Sequence, residues 1–103
     1  MEKDTEYTEV IFRKFKGEII ALFPYRFDDY SALTCLSYMH VGQHGNANYN
    51  HIVDNSKLAK EEEYKPLFQE LESIGYLLKP INKINYDKWR IERQKYLAEL
   101  KNI

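Results

Sequence analysis

The sequence predicts an α+β fold: a small antiparallel sheet of three to five strands, one amphipathic helix packed on a face of that sheet, and a charged C-terminal helix. The chain has 103 residues, 44% apolar and 30% charged, which is typical of one folded domain. Its first half carries short apolar runs separated by turn residues, and its second half carries an apolar stripe at helical spacing.

The first two strands are predicted over residues 9–15 and 19–23, which are rich in β-branched and aromatic side chains. The short connection between them, 16–18, contains Gly17, so the pair is predicted to form an antiparallel hairpin. Pro24 has no amide proton to give to a ladder, so the second strand is predicted to stop there.

A third strand is predicted over residues 33–41, with Cys35, Ser37 and Met39 alternating on one face. Residues 42–48 are turn-forming and predict a loop. Residues 49–53 predict a short fourth strand, because Tyr, Ile and Val favour strands.

The amphipathic helix is predicted over residues 61–74, because five apolar side chains recur there at helical spacing: Tyr64, Leu67, Phe68, Leu71 and Ile74. Gly75 is placed as the C′ glycine that ends the helix, with Tyr76 as the hydrophobic residue after it. Pro66 suits only a first turn, which favours a regular helix beginning near Lys65 and a separate turn over 61–64.

A last strand is predicted over 76–84, with Pro80 indicating an edge position or an early end. Asn85 or Asp87 then caps the C-terminal helix. We divide the chain into a flexible leader (1–8), one α+β domain (9–84) and the amphipathic C-terminal helix (85–103). The predicted core contains Val10, Phe12, Ile20, Leu22, Cys35, Met39, Leu67, Leu71 and Ile74.

The sequence favours a cytoplasmic protein that does not enter membranes. Cys35 is the lone cysteine, so nothing requires an oxidising compartment. The first residues are acidic and polar, unlike a signal peptide, and no apolar run approaches the ~18 residues of a membrane span.

Four stretches of the sequence resemble a group of short bacterial proteins for which no function is established: residues 10–13 (VIFR), 20–24 (IALFP), 35–44 (CLSYMHVGQH) and 70–76 (ELESIGY). The resemblance covers roughly residues 9–80. It implies membership of that group and carries no activity, cofactor or catalytic residue. The helix after Asn85 lies outside it.

The segment 37–51 is the first candidate site, because it concentrates hydrogen-bonding side chains and all three histidines around Gly42 and Gly45. The predicted ligand- or partner-binding residues are Tyr38, His40, Gln43, His44, Asn48, Tyr49 and Asn50. The alternative is that these residues only satisfy a polar turn.

A His-centred enzyme or a metal site is the second hypothesis for the same segment. His40, His44 and His51 with Asp54 would offer four ligands, but no zinc-type spacing joins them. Asp28 or Asp29 could partner a histidine, and Cys35 could serve as a nucleophile, although a lone cysteine in an apolar strand is usually a small buried side chain. No cofactor fingerprint is present. We therefore expect no catalytic residue, no metal and no cofactor.

The C-terminal helix is the second candidate surface, with Trp89, Arg90, Arg93 and Tyr96 as its predicted interaction residues. Residues 79–103 carry seven Lys or Arg and three Asp or Glu, a net charge of +4. Residues 1–78 carry eight Lys or Arg and thirteen Asp or Glu, a net charge of −5. This asymmetry suits a protein partner, including a second copy of the chain, and less well nucleic acid, because acidic residues interrupt the basic ones. The leading hypothesis is a small non-catalytic interaction or regulatory module that binds protein through the 42–50 loop, the C-terminal helix or both.

Overall fold

A computed structural model describes residues 7–27, 34–39 and 44–101, of which 34, 44 and 46 are described by their backbone alone. The elements, in chain order, are β1 Thr8–Phe15, β2 Glu18–Phe23, β3 Thr34–Tyr38, β4 His44–Asn48, α1 Tyr49–Asp54, β5 Ser56–Leu58, α2 Glu61–Ser73, β6 Leu78–Pro80 and α3 Tyr86–Lys101. The predicted α+β class is confirmed.

The strands form one six-stranded sheet in the order β4-β3-β2-β1-β5, with β6 pairing with the N-terminal part of β1. Every pair is antiparallel except β1 with β6, in which Thr8 lies opposite Leu78 and Val10 opposite Pro80. β5 runs against β1, and α2 then carries the chain to the N-terminal end of β1. The chain reverses there, so β6 runs parallel to β1, a pairing that the expected purely antiparallel sheet lacks.

The β1–β2 hairpin forms as predicted. Phe15 lies opposite Glu18, and Lys16 and Gly17 make the two-residue connection. Both residues have positive φ, 53° and 81°, which a type I′ hairpin turn requires at its two central positions.

The chain between residues 44 and 54 corrects the prediction of a loop followed by a strand. Residues 44–48 form β4, whose five residues all pair with β3, from Thr34 opposite Asn48 to Tyr38 opposite His44. The predicted strand at 49–53 is instead helix α1, because the Asn48 side chain accepts a hydrogen bond from the His51 amide (3.0 Å) and starts a helical turn. The short strand β5 was not predicted at all.

Helix α2 begins at Glu61, so the expected start near Lys65 is wrong. The Glu63 carboxylate accepts the Lys60 amide (2.9 Å) and the Lys14 ammonium (3.1 Å), which stabilises the first turn. Pro66 lies inside the helix with its ring exposed. It removes one backbone hydrogen bond, that to the Glu62 carbonyl, and the helix continues through it.

The end of α2 matches the predicted glycine stop. The Gly75 amide donates to the Glu72 carbonyl (3.0 Å) and the Tyr76 amide to the Leu71 carbonyl (3.1 Å), the two bonds of a Schellman motif. Gly75 has φ of 110°, a conformation that side chains disfavour. Ile74 is therefore the C-cap and is 52% exposed, so its placement in the predicted core is wrong.

The sheet is buried on both faces, which explains the unbroken apolar runs of β1 and β2. On the α2 side, the buried cluster is Val10, Phe12, Ala21, Phe23, Tyr38, Ala59, Leu67, Leu71 and Leu78. On the other side, the α1-side cluster is Ile11, Ile20, Leu22, Cys35, Ala47, Ile52 and Ile84. Met39 packs half-buried against the second cluster.

Helix α3 begins after Asn85, one of the two N-cap residues that the sequence predicts. β6 covers three residues of the predicted 76–84 strand and ends at Pro80, beside the edge of β1. The Asn85 side chain then accepts the amides of Asp87 (3.0 Å) and Lys88 (3.1 Å), which makes Asn85 the N-cap of α3.

Candidate functional site

Helix α1 presents three of the predicted binding residues at its N-terminal end. Asn48 caps the helix, Tyr49 packs half-buried against the α1-side cluster, and Asn50 is exposed. Ile52 lies three residues after Tyr49 and is buried, so the helix is held to the sheet by the side that carries these two residues, while Asn50 is exposed.

Arg13 on β1 fixes the other end of α1. Its Nε donates to Ser56 Oγ (2.9 Å), and one terminal nitrogen donates to the carbonyls of Val53 (3.1 Å) and Ser56 (2.8 Å). A planar guanidinium satisfies three acceptors at once and so joins β1, α1 and β5. Sequence reasoning missed this role, because a single arginine in an apolar strand resembles an ordinary outward-facing residue.

The first half of α3 packs on its own domain. The Asn85 amide donates to Tyr25 Oη (2.8 Å), and Lys88 lies 2.5 Å from Glu9 and over the Tyr25 ring. Trp89 packs against the α1-side cluster. The Trp89 ring also lies 6.3 Å from the ring of Phe27, and the Tyr96 ring, two turns further along the helix, lies 5.6 Å from it. The helix is thus attached by one side, although none of its residues is fully buried.

These two helices enclose a cavity of about 200 Å³, which we call the α1–α3 cavity. Its lining comes from five separate parts of the chain: Pro24, Cys35, Asn48, Tyr49, Asn50, Ile84, Tyr86 and Trp89. The structure therefore brings Asn48, Tyr49 and Asn50 together with Trp89, which the sequence placed on two different candidate surfaces. Arg93 extends the same face, with its guanidinium carbon 5.7 Å from the Trp89 ring.

The wall of the α1–α3 cavity favours neutral groups. Burial raises the pKa of the Cys35 thiol from 9.0 to about 12, against a smaller opposing effect of a backbone hydrogen bond with Phe23. Burial also raises the pKa of Tyr49, although a backbone hydrogen bond with Ile84 opposes the shift. Neither side chain is suited to act as an anionic nucleophile or base near neutral pH.

Cys35 should therefore resist alkylation in the folded protein. A pKa of about 12 instead of 9.0 lowers the thiolate fraction at pH 8 by about a thousandfold, and the side chain is 2% exposed. We expect iodoacetamide to modify the native protein at least about a hundredfold more slowly than the chain in guanidinium chloride. Glutathione in the same two solutions controls for the effect of the denaturant. Equal rates for Cys35 in both solutions would contradict the buried thiol.

The raised pKa of Cys35 predicts that the free energy of unfolding depends on pH. The folded-state pKa of Cys35 lies above the unfolded value, so the neutral thiol contributes to stability below pH 9. This contribution is lost progressively as the pH rises from about 9 toward 12.

Two further residues of the 37–51 segment that the structure describes, Tyr38 and His51, do not line the cavity. Tyr38 is 1% exposed in the cluster on the α2 side, and its hydroxyl donates to the Glu70 carboxylate of α2. Gln43, His40 and the side chain of His44 lie outside the described residues. His51 is exposed, with its ring 6.0 Å from that of Phe15 and its Nδ1 3.4 Å from Asn55 Nδ2.

Of the four proposed metal ligands, only His51 and Asp54 have side chains that the structure describes. Within 7–27, 34–39 and 44–101, no three His, Cys, Asp or Glu side chains form a group that could hold a metal ion. Asp28 and Asp29, the carboxylates suggested as partners of a histidine, lie outside those ranges.

Ion pairs neutralise three of the positive charges of α3. Lys88 pairs with Glu9, Arg90 pairs with Asp87, and Lys95 lies 3.6 Å from Glu92. The pairs are exposed or half-exposed and contribute little to stability, but they reduce the net field that the helix presents to a negatively charged partner.

No family model, curated protein or solved structure matches the chain. The resemblance to short bacterial proteins therefore stays a prediction. None of the helices described in the structure has both the length and the apolar content needed to cross a membrane.

Proposed function

We propose that the protein is a small non-catalytic module that binds a protein partner through one composite face. This face consists of Asn48, Tyr49, Asn50, Tyr86, Trp89 and Arg93. The proposal rests on one observation: the start of α1 and the start of α3, distant in the sequence, line the same cavity. A face assembled from two elements around a recess offers a partner both an anchor point and flanking contacts.

The residue types of the composite face support protein recognition. Trp, Tyr and Arg contribute most of the binding energy in protein interfaces, and this face holds one tryptophan, two tyrosines and one arginine. Tyr86 is 63% exposed, so its ring is open to solvent in the free chain. Burying that ring against a partner would remove apolar area from water at little conformational cost.

A protein is favoured over nucleic acid as the partner. Binding to phosphates depends on unneutralised Lys and Arg, whereas Lys88, Arg90 and Lys95 each have a carboxylate partner. Binding is favoured over catalysis, because burial raises the pKa values of Cys35 and Tyr49 further above physiological pH. A cytoplasmic location is part of the proposal, since a chain with one buried thiol suits a reducing compartment.

The first test compares Tyr86→Ala with Tyr7→Ala, because the two tyrosines are almost equally exposed, at 63% and 60%, and only Tyr86 lies on the composite face. A second copy of the chain is the first partner to examine, by light scattering over a concentration series. We expect a dimer whose dissociation constant rises at least about tenfold in Tyr86→Ala and stays unchanged in Tyr7→Ala.

A monomer at every concentration would exclude self-association. The same two positions then receive a photo-crosslinking amino acid in cells, and position 86 should give a discrete product with another protein that position 7 does not give. Equal products from both positions, or none from either, would contradict the proposed binding face.

A further inference from the structure

The α1–α3 cavity has the construction of a small-molecule site. The end of β2 contributes Pro24, β3 contributes Cys35, and the segment before α3 contributes Ile84, all of which are buried. Tyr49, Tyr86 and Trp89 add three aromatic residues to the lining, and Asn48 and Asn50 add two uncharged polar residues. An apolar recess with a few polar groups is what small ligands occupy in proteins.

The volume limits the ligand to about one ring. A cavity of about 150 Å³ lined by apolar side chains is large enough to hold benzene. The α1–α3 cavity, at about 200 Å³, exceeds that by the space of a small substituent. A fused ring system bearing further groups would extend beyond this volume, past the exposed Asn50 and Tyr86.

The lining also determines the charge of the ligand. None of the eight lining residues that the structure describes is Asp, Glu, Lys, Arg or His, so a charged ligand would lose its hydration without gaining an ion partner from them. The Asn50 carboxamide is exposed, and Asn48 and Tyr49 keep hydrogen-bonding capacity beyond the bonds that they make to the His51 amide and the Ile84 backbone. A ligand with one hydroxyl-type group could exchange hydrogen bonds with these while its ring meets the aromatic wall.

We propose that the α1–α3 cavity binds a neutral molecule consisting of one aromatic ring and one small polar substituent, that is, a ligand of the phenol class. Trp89 forms a wall that is held in place, since the Arg93 guanidinium carbon lies 5.7 Å from its ring and Phe27 meets it edge-on. A wall held in place before the ligand arrives reduces the ordering that binding requires. This inference does not depend on a protein partner.

The test is a titration of the full-length protein with phenol, followed by NMR. Trp89 is the only tryptophan, so its indole N–H gives one signal that reports directly on the cavity wall. We expect a saturable shift of that signal with a dissociation constant of about 1 mM or below. Benzoate has the same ring and a negative charge, so it should bind at least about tenfold more weakly. If phenol does not shift the Trp89 signal, or shifts it without saturation, the proposal is overturned. A benzoate dissociation constant equal to that of phenol would overturn it as well.

A pair of variants locates the binding event. Asn50→Phe places a ring at an exposed position that lines the cavity, whereas Gln94→Phe places the same ring at an exposed position of α3 outside the lining. Phenol affinity should fall at least about tenfold in Asn50→Phe and stay unchanged in Gln94→Phe. Unchanged affinity in Asn50→Phe would place the phenol elsewhere and contradict the assignment. Loss of phenol binding without loss of a protein partner, or the reverse, separates this inference from the proposed protein-binding function.

Discussion

Replacing Leu71 by alanine should lower the free energy of unfolding by about 2–5 kcal/mol, the cost of removing a fully buried leucine side chain. Leu71 is 0% exposed and belongs to the cluster that joins α2 to the sheet. The α2 backbone cannot move in to fill the space, because the Tyr76 amide is hydrogen-bonded to the Leu71 carbonyl and the Tyr76 ring is stacked on Phe23 at 5.1 Å. A domain of this size has a total stability of about 5–15 kcal/mol, so the variant should lose a large fraction of it.

The measurement is urea unfolding followed by circular dichroism. Leu77→Ala is the matched control, since Leu77 is 50% exposed and six residues further along the chain. It should change the free energy of unfolding by no more than about 0.5 kcal/mol. Equal losses in the two variants would mean that α2 is not the helix that closes this face of the sheet.

Arg13→Lys should lower the free energy of unfolding by about 1.5–3 kcal/mol, although it keeps the charge. The guanidinium reaches Ser56 Oγ and the carbonyls of Val53 and Ser56 from a single planar group. An ammonium has one nitrogen and cannot occupy both donor positions, so at least one acceptor in this half-buried site loses its partner. Because these bonds hold the end of α1, the variant should also disturb the cavity at the start of that helix.

Arg26→Lys is the corresponding control, because Arg26 is exposed and donates one side-chain hydrogen bond, to Thr8. It should leave stability within about 0.5 kcal/mol of the wild type. Hydrogen exchange adds a local readout: amides of residues 51–58 should lose protection in Arg13→Lys and keep it in Arg26→Lys. Unchanged protection there, with stability retained, would show that the three bonds of Arg13 do not anchor α1.

The parts of the fold that the sequence predicts correctly are those determined by neighbouring residues. The turn at Lys16 and Gly17, the stop at Gly75 and the cap at Asn85 each depend on contacts within a few residues. Local chemistry of that kind can be seen in the sequence before any long-range contact is known.

Local sequence preference fails between residues 44 and 54, where the predicted loop is a strand and the predicted strand is a helix. The sequence of β4, His-Gly-Asn-Ala-Asn, has little strand preference and becomes a strand because it completes a ladder with β3. In α1, Tyr49, Ile52 and Val53 favour strands individually, yet they recur at the i, i+3, i+4 spacing of a helix after a capping asparagine. That spacing, with Asn48, was the signal that could have predicted the helix.

The cavity itself had no signature in the sequence. Its lining runs from Pro24 to Trp89, and only Asn48, Tyr49, Asn50 and Trp89 were predicted to bind anything. Pro24, Ile84 and Tyr86 showed no functional pattern, because their role depends on how α1 and α3 meet across the sheet. Residues that meet only through long-range packing share no regular spacing in the sequence.

The position of β1 in the sheet has a consequence for synthesis on the ribosome. β1 pairs with β2 on one side, whereas its other edge is covered by β5 and β6, which follow about 40 and 60 residues later. At about 5–20 residues per second, the apolar edge around Val10 stays open for about 3–12 s after β1 is made. An open strand edge can pair with another nascent chain, so aggregation should be most severe during translation, and slower elongation between residues 16 and 78 should increase it.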